Sequence, residues 1–427
     1  VEKAKTDYKM TEYQGMNYTI MHTEFVRERV EPGMLILGSD SYTCSSGAVG
    51  CLAIGLGAAD VGMGLVTGET WMKIPESILI TFTGKPAFGT GGKDVILYIL
   101  KELKRNTVAA DRIVEFSGPG VKYLSCNARF AIVNMGAKFG AATDIFAPDE
   151  VTLGYVSRRR QKAHRSNPLY FAADSDAVYA GKYTIDLSKV ESFIAVYPSP
   201  DHVVPGSEKA GMRLDGVFIG ACTTTEEDLV LAALILQVGL KKGLPQVKGR
   251  KHVLAAPPII EKLRSLDLLE VYEAAGFIRG VPGCSFCVGM GSDKAAAVET
   301  WLSSQNRNFK NRMGTGAIGH ITTAIVVGAS SFSMMVTDPG PFLAEMGVEF
   351  YQRYKNISEE ALKPVIFVEP YVGALAPSVK KDVGSSSEPM EELTPLGKIR
   401  SKIVVLGDFI DTDTVSFHLL ISLASGF

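Results

Sequence analysis

An α/β fold with parallel or mixed sheets is predicted by three features of the chain. Short apolar runs of strand length alternate with longer amphipathic stretches, as in repeated β-α units. The 43 glycines fall largely in the loops between those runs, where β-α turns need their conformational freedom. Apolar residues make up 46% of the 427 positions and charged residues 21%, which is material for a large core and, by length, about two to four domains.

Taken in order, residues 1–30 are polar and weakly patterned, and contain His22. Residues 33–83 read as strand (MLILG), a Ser- and Gly-rich turn (SDSYTCSSGAVG), helix, and a second strand (ILITFTG). Such a turn can cap a helix or leave backbone N–H groups for an anion. GGKDVILYILKELK (91–104) reads as a helix, with apolar residues at Val95, Ile96, Tyr98, Ile99, Leu100 and Leu103 and a solvated basic end. YTIDLSKVESFIAVYPSPDHVVP reads as a strand followed by a Pro-rich crossing, with a new domain starting near Asp215. A helix over 226–243 is stopped by Lys-Lys-Gly. A strand (KHVLAAPPI) and a helix over 259–276 follow, and this alternation predicts a doubly wound sheet. APSVKKDVGSSSEPMEELTPLG (376–397) has linker composition. The expected division is an α/β unit over 1–200, a second over 201–345, a linker over 346–396, and the start of a further domain over 397–427.

Several function classes are disfavoured at once. A net charge of −2 gives no bulk attraction to nucleic acid or to an anionic membrane. The basic run SRRRQKAHR (157–165) reads as a charged surface, with RNA or phosphate contact the lesser reading. No apolar run reaches the roughly 18 to 20 residues of a membrane span, and VEKAKTDYKM lacks a signal-peptide core. Six unevenly spaced cysteines fit a reducing compartment, hence an intracellular protein, cytoplasmic or mitochondrial.

Chemistry concentrates in three cysteines. Cys222 follows the apolar run VFIG, and Cys284 and Cys287 lie in the Pro/Gly loop GVPGCSFCVGMG. Alone, Cys-x-x-Cys also suits a redox pair or half of a zinc site. A closed zinc site wants four ligands, and no fourth cysteine stands at finger-like spacing. Three thiolates at strand ends can instead converge on an iron–sulfur cluster that keeps one iron open.

Five motifs, LILGSDSYTCSSGAVG, IVNMGAKFGAATDIFAPDE, GACTTTEEDL, PGCSFCVGMG and SSQNRNFKNRMGTG, resemble those of the aconitase superfamily, and they occur in the family's order. The resemblance runs from about Tyr18 to Thr414. It is closest to the large subunit of 3-isopropylmalate dehydratase and homoaconitase, in the layout of a fungal single-chain fusion shortened at both ends. It implies three-layer α/β/α domains around a central site. It further implies a 4Fe-4S cluster on Cys222, Cys284 and Cys287, a catalytic group of His22, Asp40 and Ser41, and substrate contacts from Asn134, Asn306, Arg307 and Arg312. Guanidinium pairs suit a dicarboxylate. The implied activity is a hydro-lyase that dehydrates and rehydrates a hydroxy di- or tricarboxylate, in leucine-like chain extension or toward a specialised-metabolite precursor such as a toxin.

Two positions depart from the family. Tyr42 stands where relatives have histidine, and Lys138 replaces a glutamate near the open iron; both changes weaken a proton relay. They motivate an alternative, an impaired relative with a partner- or RNA-binding role. An amino-terminal Asp-His pair and the swivelling domain's serine base are not found, so a small-subunit-like domain acting in trans is an expected partner. GSSSE at 384–388 lacks the arginine of that serine loop. After Thr414 the resemblance stops; Val-Ser can be encoded by a common intron donor sequence, so translated intron is one expected explanation of the tail, and natural truncation by frameshift or nonsense is the other.

Overall fold

The computed structural model describes residues 2–7, 19–159, 168–289, 293–355, 365, 367, 402–410 and 417–424. The strands are β1 (Leu35–Gly38), β2 (Leu52–Gly55), β3 (Ser77–Thr83), β4 (Ile113–Ser117), β5 (Thr143–Phe146), β6 (Gly181–Asp186), β7 (Phe193–Ala195) and β8 (Val203–Pro205). They continue with β9 (Gly216–Ile219), β10 (Arg250–Val253), β11 (Ile278–Arg279), β12 (Thr300–Ser303), β13 (Ile318–Ile321), β14 (Lys402–Ile410) and β15 (Phe417–Ala424). Among the described residues they form three sheets.

One sheet has the order β5-β4-β3-β6 and is parallel throughout. Alternate positions of β3 are buried, which is the period-2 pattern that marked ILITFTG as a strand. Against it pack the helices Gly92–Leu103 and Cys126–Asn134, with Val95, Ile96, Leu97, Ile99 and Leu100 fully buried. The short sheet β14-β15-β1-β2 pairs β1 and β2 in parallel, with β15 antiparallel to both β1 and β14.

The largest sheet has the order β11-β10-β9-β12-β13-β7-β8. From β11 to β13 it is parallel, and β7 and β8 add an antiparallel edge. Strand order runs outward from β9 to β11 on one side and from β12 to β13 on the other. The switch point therefore lies between β9 and β12, where α/β sheets open a crevice at their carboxyl ends. All four residues of β9 are buried, and the helices Glu226–Lys241 and Ala324–Ser333 complete this second core. Thr225 starts the first of these helices as its N-cap, with Asp228 closing a capping box.

The structure corrects the sequence reading at four places. The Ser/Gly turn is itself a 3-10 helix, Ser41–Val49, followed by the extra strand β2 and the helix Ala58–Thr67. Asp40 begins that 3-10 helix, accepting a hydrogen bond from the Tyr42 N–H at 2.7 Å. The helix expected over 259–276 is two, Pro257–Ser265 and Leu269–Ala274. Asp267 breaks it with a left-handed φ of 56°, while Leu263, Leu268 and Leu269 keep their apolar faces buried across the gap. The Pro-rich crossing is a two-stranded hairpin, so the largest sheet reaches back to Phe193. Pro205 is tolerated because it ends an edge strand. Residues 348–355, read as linker, begin as the helix Val348–Lys355, docked by Tyr351 and Tyr354 donating to Glu227 and Glu226 at 2.8 and 3.0 Å. The linker over 376–397, GSSSE and residues 160–165 of the basic run lie outside the described residues.

Candidate active site

The loops after β9 and β12 leave neighbouring strands at the switch point, and both carry residues singled out above. After β9, Gly220 has a φ of 154°, and a Cβ there would stand 2.9 Å from the Leu254 carbonyl oxygen. Ala221 follows at a φ of 77°, a costly conformation for a residue with a side chain. This sharp turn delivers Cys222 to the crevice, 7% exposed. After β12 come Asn306 and Arg307, and the loop continues to Arg312. Cys284 and Cys287 follow β11, with Cys287 buried and Cys284 half-buried.

The polar contacts converge on sulfur. Asn306 Nδ2 donates to Cys222 Sγ at 3.2 Å and to Asn134 Oδ1 at 2.8 Å. Asn134 Nδ2 donates to Cys222 Sγ at 3.8 Å and to Ser45 Oγ at 3.0 Å. Arg312 reaches Cys287 Sγ at 3.8 Å, while its Nε is buried without a hydrogen-bond partner. Burial raises the Cys222 thiol to about 11, against the pull of the two asparagine N–H groups. Cys287 is lowered to about 7, first by its hydrogen bond with Cys284 and then by Arg312, and Cys284 is raised by the same bond.

His22 lies on the helix Met21–Glu28 with its Nε2 3.1 Å from Asp40 Oδ1. Ser41 is exposed and accepts from Arg307 at 3.2 Å. The Arg307 Nε also donates to the Tyr42 phenol oxygen. Tyr42 is buried beside His22, with ring centroids 6.0 Å apart. The structure thus brings His22, Asp40, Ser41, Asn134, Asn306 and Arg307 to one crevice with Cys222, and Arg312 to Cys287.

One residue was missed. Lys93, 2% exposed, sends its ammonium to Thr223 Oγ1 at 3.2 Å and to the Ser304 and Gln305 carbonyls, both at 3.0 Å. It ties the Cys222 loop to the Asn306 loop from a helix on the other core. A signal existed: a lysine in the first turn opposes the helix dipole and needs a reason.

Thiols presented at the strand ends of a parallel sheet, with N–H donors trained on two of their sulfurs, define a class of α/β protein with a thiol-lined crevice at the switch point. The chain belongs to the aconitase family: the family model, described as aconitate hydratase, matches residues 1–333. It is 56% identical to Aconitase htyD of Aspergillus rugulosus, over 97% of this chain and 50% of that protein. It is also 56% identical to the 3-isopropylmalate dehydratase large subunit gloJ of Glarea lozoyensis, over 99% and 50%. The 3-isopropylmalate dehydratase large subunit of Caldivirga maquilingensis is 36% identical over 76% of each chain. The chain spans about half the length of the fungal relatives it matches.

The family implies an iron–sulfur cluster, and the donor set fits one. Among the described residues no three histidine, cysteine, aspartate or glutamate side chains close on a single metal ion. A cluster spreads its thiolates over several irons, and hydrogen bonds to sulfur tune it. Cys222, Cys284 and Cys287, three of the six free cysteines, and the Asn134, Asn306 and Arg312 donors match that requirement. No helix among the described residues is long and apolar enough to cross a membrane.

Proposed function

We propose that the chain is the cluster-bearing part of a hydro-lyase of the isopropylmalate isomerase type. Its substrate is a hydroxy di- or tricarboxylate, and Cys222, Cys284 and Cys287 hold a 4Fe-4S cluster. The observation that carries the reading is the convergence on Cys222 of N–H donors from Asn134 and Asn306, beside the two arginines. When bound, the cluster's open iron supplies a Lewis acid for loss and re-addition of hydroxide. Arg307 and Arg312 bind and orient the substrate carboxylates. His22 holds and moves a proton at Nε2, with Asp40 setting its orientation at 3.1 Å. Asn134 and Asn306 fix the Cys222 sulfur against both loops.

The fungal relatives, one named an aconitase and one a 3-isopropylmalate dehydratase large subunit, support the hydro-lyase class; a role in lengthening a 2-oxo acid or building a specialised-metabolite precursor is part of the same proposal. The term large subunit supports a small-subunit-like swivelling domain that completes the site. The retained His22–Asp40 pair favours turnover over an impaired binding role. Anaerobic reconstitution with iron and sulfide should give a brown protein with about four irons per chain, bleaching in air. Cys222→Ser should abolish the colour. A wild-type chain that stays colourless removes the reading.

A further inference from the structure

Lys138 stands out because its charge has no carboxylate partner among the described residues. It lies in the short helix Gly136–Phe139, and its Nζ sits 4.9 Å from the centre of the Tyr42 ring. The Arg307 guanidinium carbon sits 4.7 Å from the same centre, and its Nε donates to the phenol oxygen. One aromatic ring therefore holds two cations, each attracted by its π-electrons. Arg312 is the third cation of the crevice, 7% exposed, with a buried Nε that lacks an acceptor. Against these three stand Asp40, already engaged with His22 and the Tyr42 N–H, and the Cys287 sulfur, 3.8 Å from Arg312.

Like charges brought together out of water repel, and the repulsion grows as the local dielectric falls. The Lys138 pKa is drawn down to about 7, first by burial and then by the charge of Arg307; the Cys44 and Cys222 sulfurs oppose this and Arg312 adds a smaller push. Tyr42 offers no compensating charge, since burial pushes its phenol well above its ordinary value and keeps it neutral. A crevice so built is completed by an anion.

We propose that Lys138 is a substrate-carboxylate ligand: together with Arg307, and held by Tyr42, it takes one carboxylate of a hydroxydicarboxylate whose other carboxylate is held by Arg312. The inference rests on the reading of the crevice as a hydroxycarboxylate site and adds its charge requirement. Two carboxylates are needed, so a hydroxymonocarboxylate is held weakly. The exchange of a carboxylate for an ammonium at this position then redirects the residue from proton handling to substrate binding, and Tyr42 becomes the support for both cations.

The test is calorimetric titration of the purified chain at low salt with malate and with lactate. Wild type should bind malate well and lactate poorly. Lys138→Met should weaken malate binding about tenfold, Lys138→Arg should restore it to within about threefold, and neither should change the response to lactate. If Arg312→Gln abolishes malate binding while Lys138→Met binds malate as wild type does, the crevice reading stands and the role of Lys138 falls. If wild type binds no malate, both fall. Acetylation of wild-type Lys138 by an N-hydroxysuccinimide ester, followed by mass spectrometry, needs no variant. Malate should slow it about tenfold by the same affinity argument, and unchanged labelling overturns the proposal.

Discussion

Tyr42 shows how a single substitution can be read differently in sequence and in space. In the sequence it is a lost imidazole. In the structure its oxygen accepts the Arg307 Nε, and its ring centre is 4.7 Å from the Arg307 guanidinium carbon and 4.9 Å from the Lys138 Nζ. Tyr42→Phe keeps the ring and removes the acceptor, so a half-buried charged donor loses its partner, at a cost of about 1 kcal/mol. We expect a correspondingly lower unfolding midpoint and a malate affinity reduced about three- to tenfold, measured by denaturation and by calorimetry. Wild-type values for both would mean that the phenol oxygen does not orient Arg307. His22, Asp40 and the two arginines were legible as candidates because motif and residue chemistry agree. The Lys138–Tyr42 contact was not, since the two residues are far apart in the chain and meet only when two loops fold together.

At the scale of the element, strands and long helices followed their periodicity, and the misses share a cause. The 259–276 stretch keeps a helical apolar pattern through its break, because Leu268 and Leu269 serve the same core from a new helix. The pattern reports burial, and a left-handed Asp267 changes direction without changing burial. Strand β13 carries a different lesson in His320, 6% exposed, whose Nδ1 accepts the Tyr197 N–H at 3.1 Å. Burial, helped by the charge of Lys209, lowers its pKa to about 4, against about 6.5 in an unfolded chain. The unfolded chain binds the extra proton first as the pH falls. Stability should therefore decline between about pH 6.5 and pH 4, by up to about 3 kcal/mol from this group, and lose nothing more from it below that window. His320→Asn can retain an acceptor and removes the titration. Urea unfolding across this window should show a flatter profile for the variant, and an unchanged slope would assign the pH dependence elsewhere.

For the whole molecule, Lys93 is the joint between the two cores. Its three acceptors lie on the loops after β9 and β12, while its own helix packs on the β3–β6 sheet. Lys93→Met leaves those acceptors unsatisfied in a buried place, with an expected loss of about 3 kcal/mol. Because the loops carry Cys222 and Asn306, the same variant should retain less iron after reconstitution than wild type. Urea unfolding and iron analysis check both effects; a fully loaded, destabilised variant would confine Lys93 to a structural role. Thr23 Oγ1 donating to the Cys222 carbonyl at 3.2 Å, and Arg27 Nε on Glu226 at 3.2 Å, fasten the His22 helix to the same seam. The crevice is thus assembled from both cores.

The sequence by itself determined the α/β class, the family, and most of the residues that meet in the crevice. These depend on local order: apolar periodicity sets strands and helices, and motifs keep chemistry-bearing residues at fixed spacing. Tertiary structure decided the rest. It placed the switch point between β9 and β12, turned the Ser/Gly segment into a 3-10 helix capped by Asp40, and buried Lys93 across the joint. It also brought Lys138 to Tyr42 and left Arg312 with a buried, unsatisfied N–H. The physical reason is that charge and hydrogen-bond demand depend on distance and burial through space, and neither is fixed until segments far apart in the chain have packed.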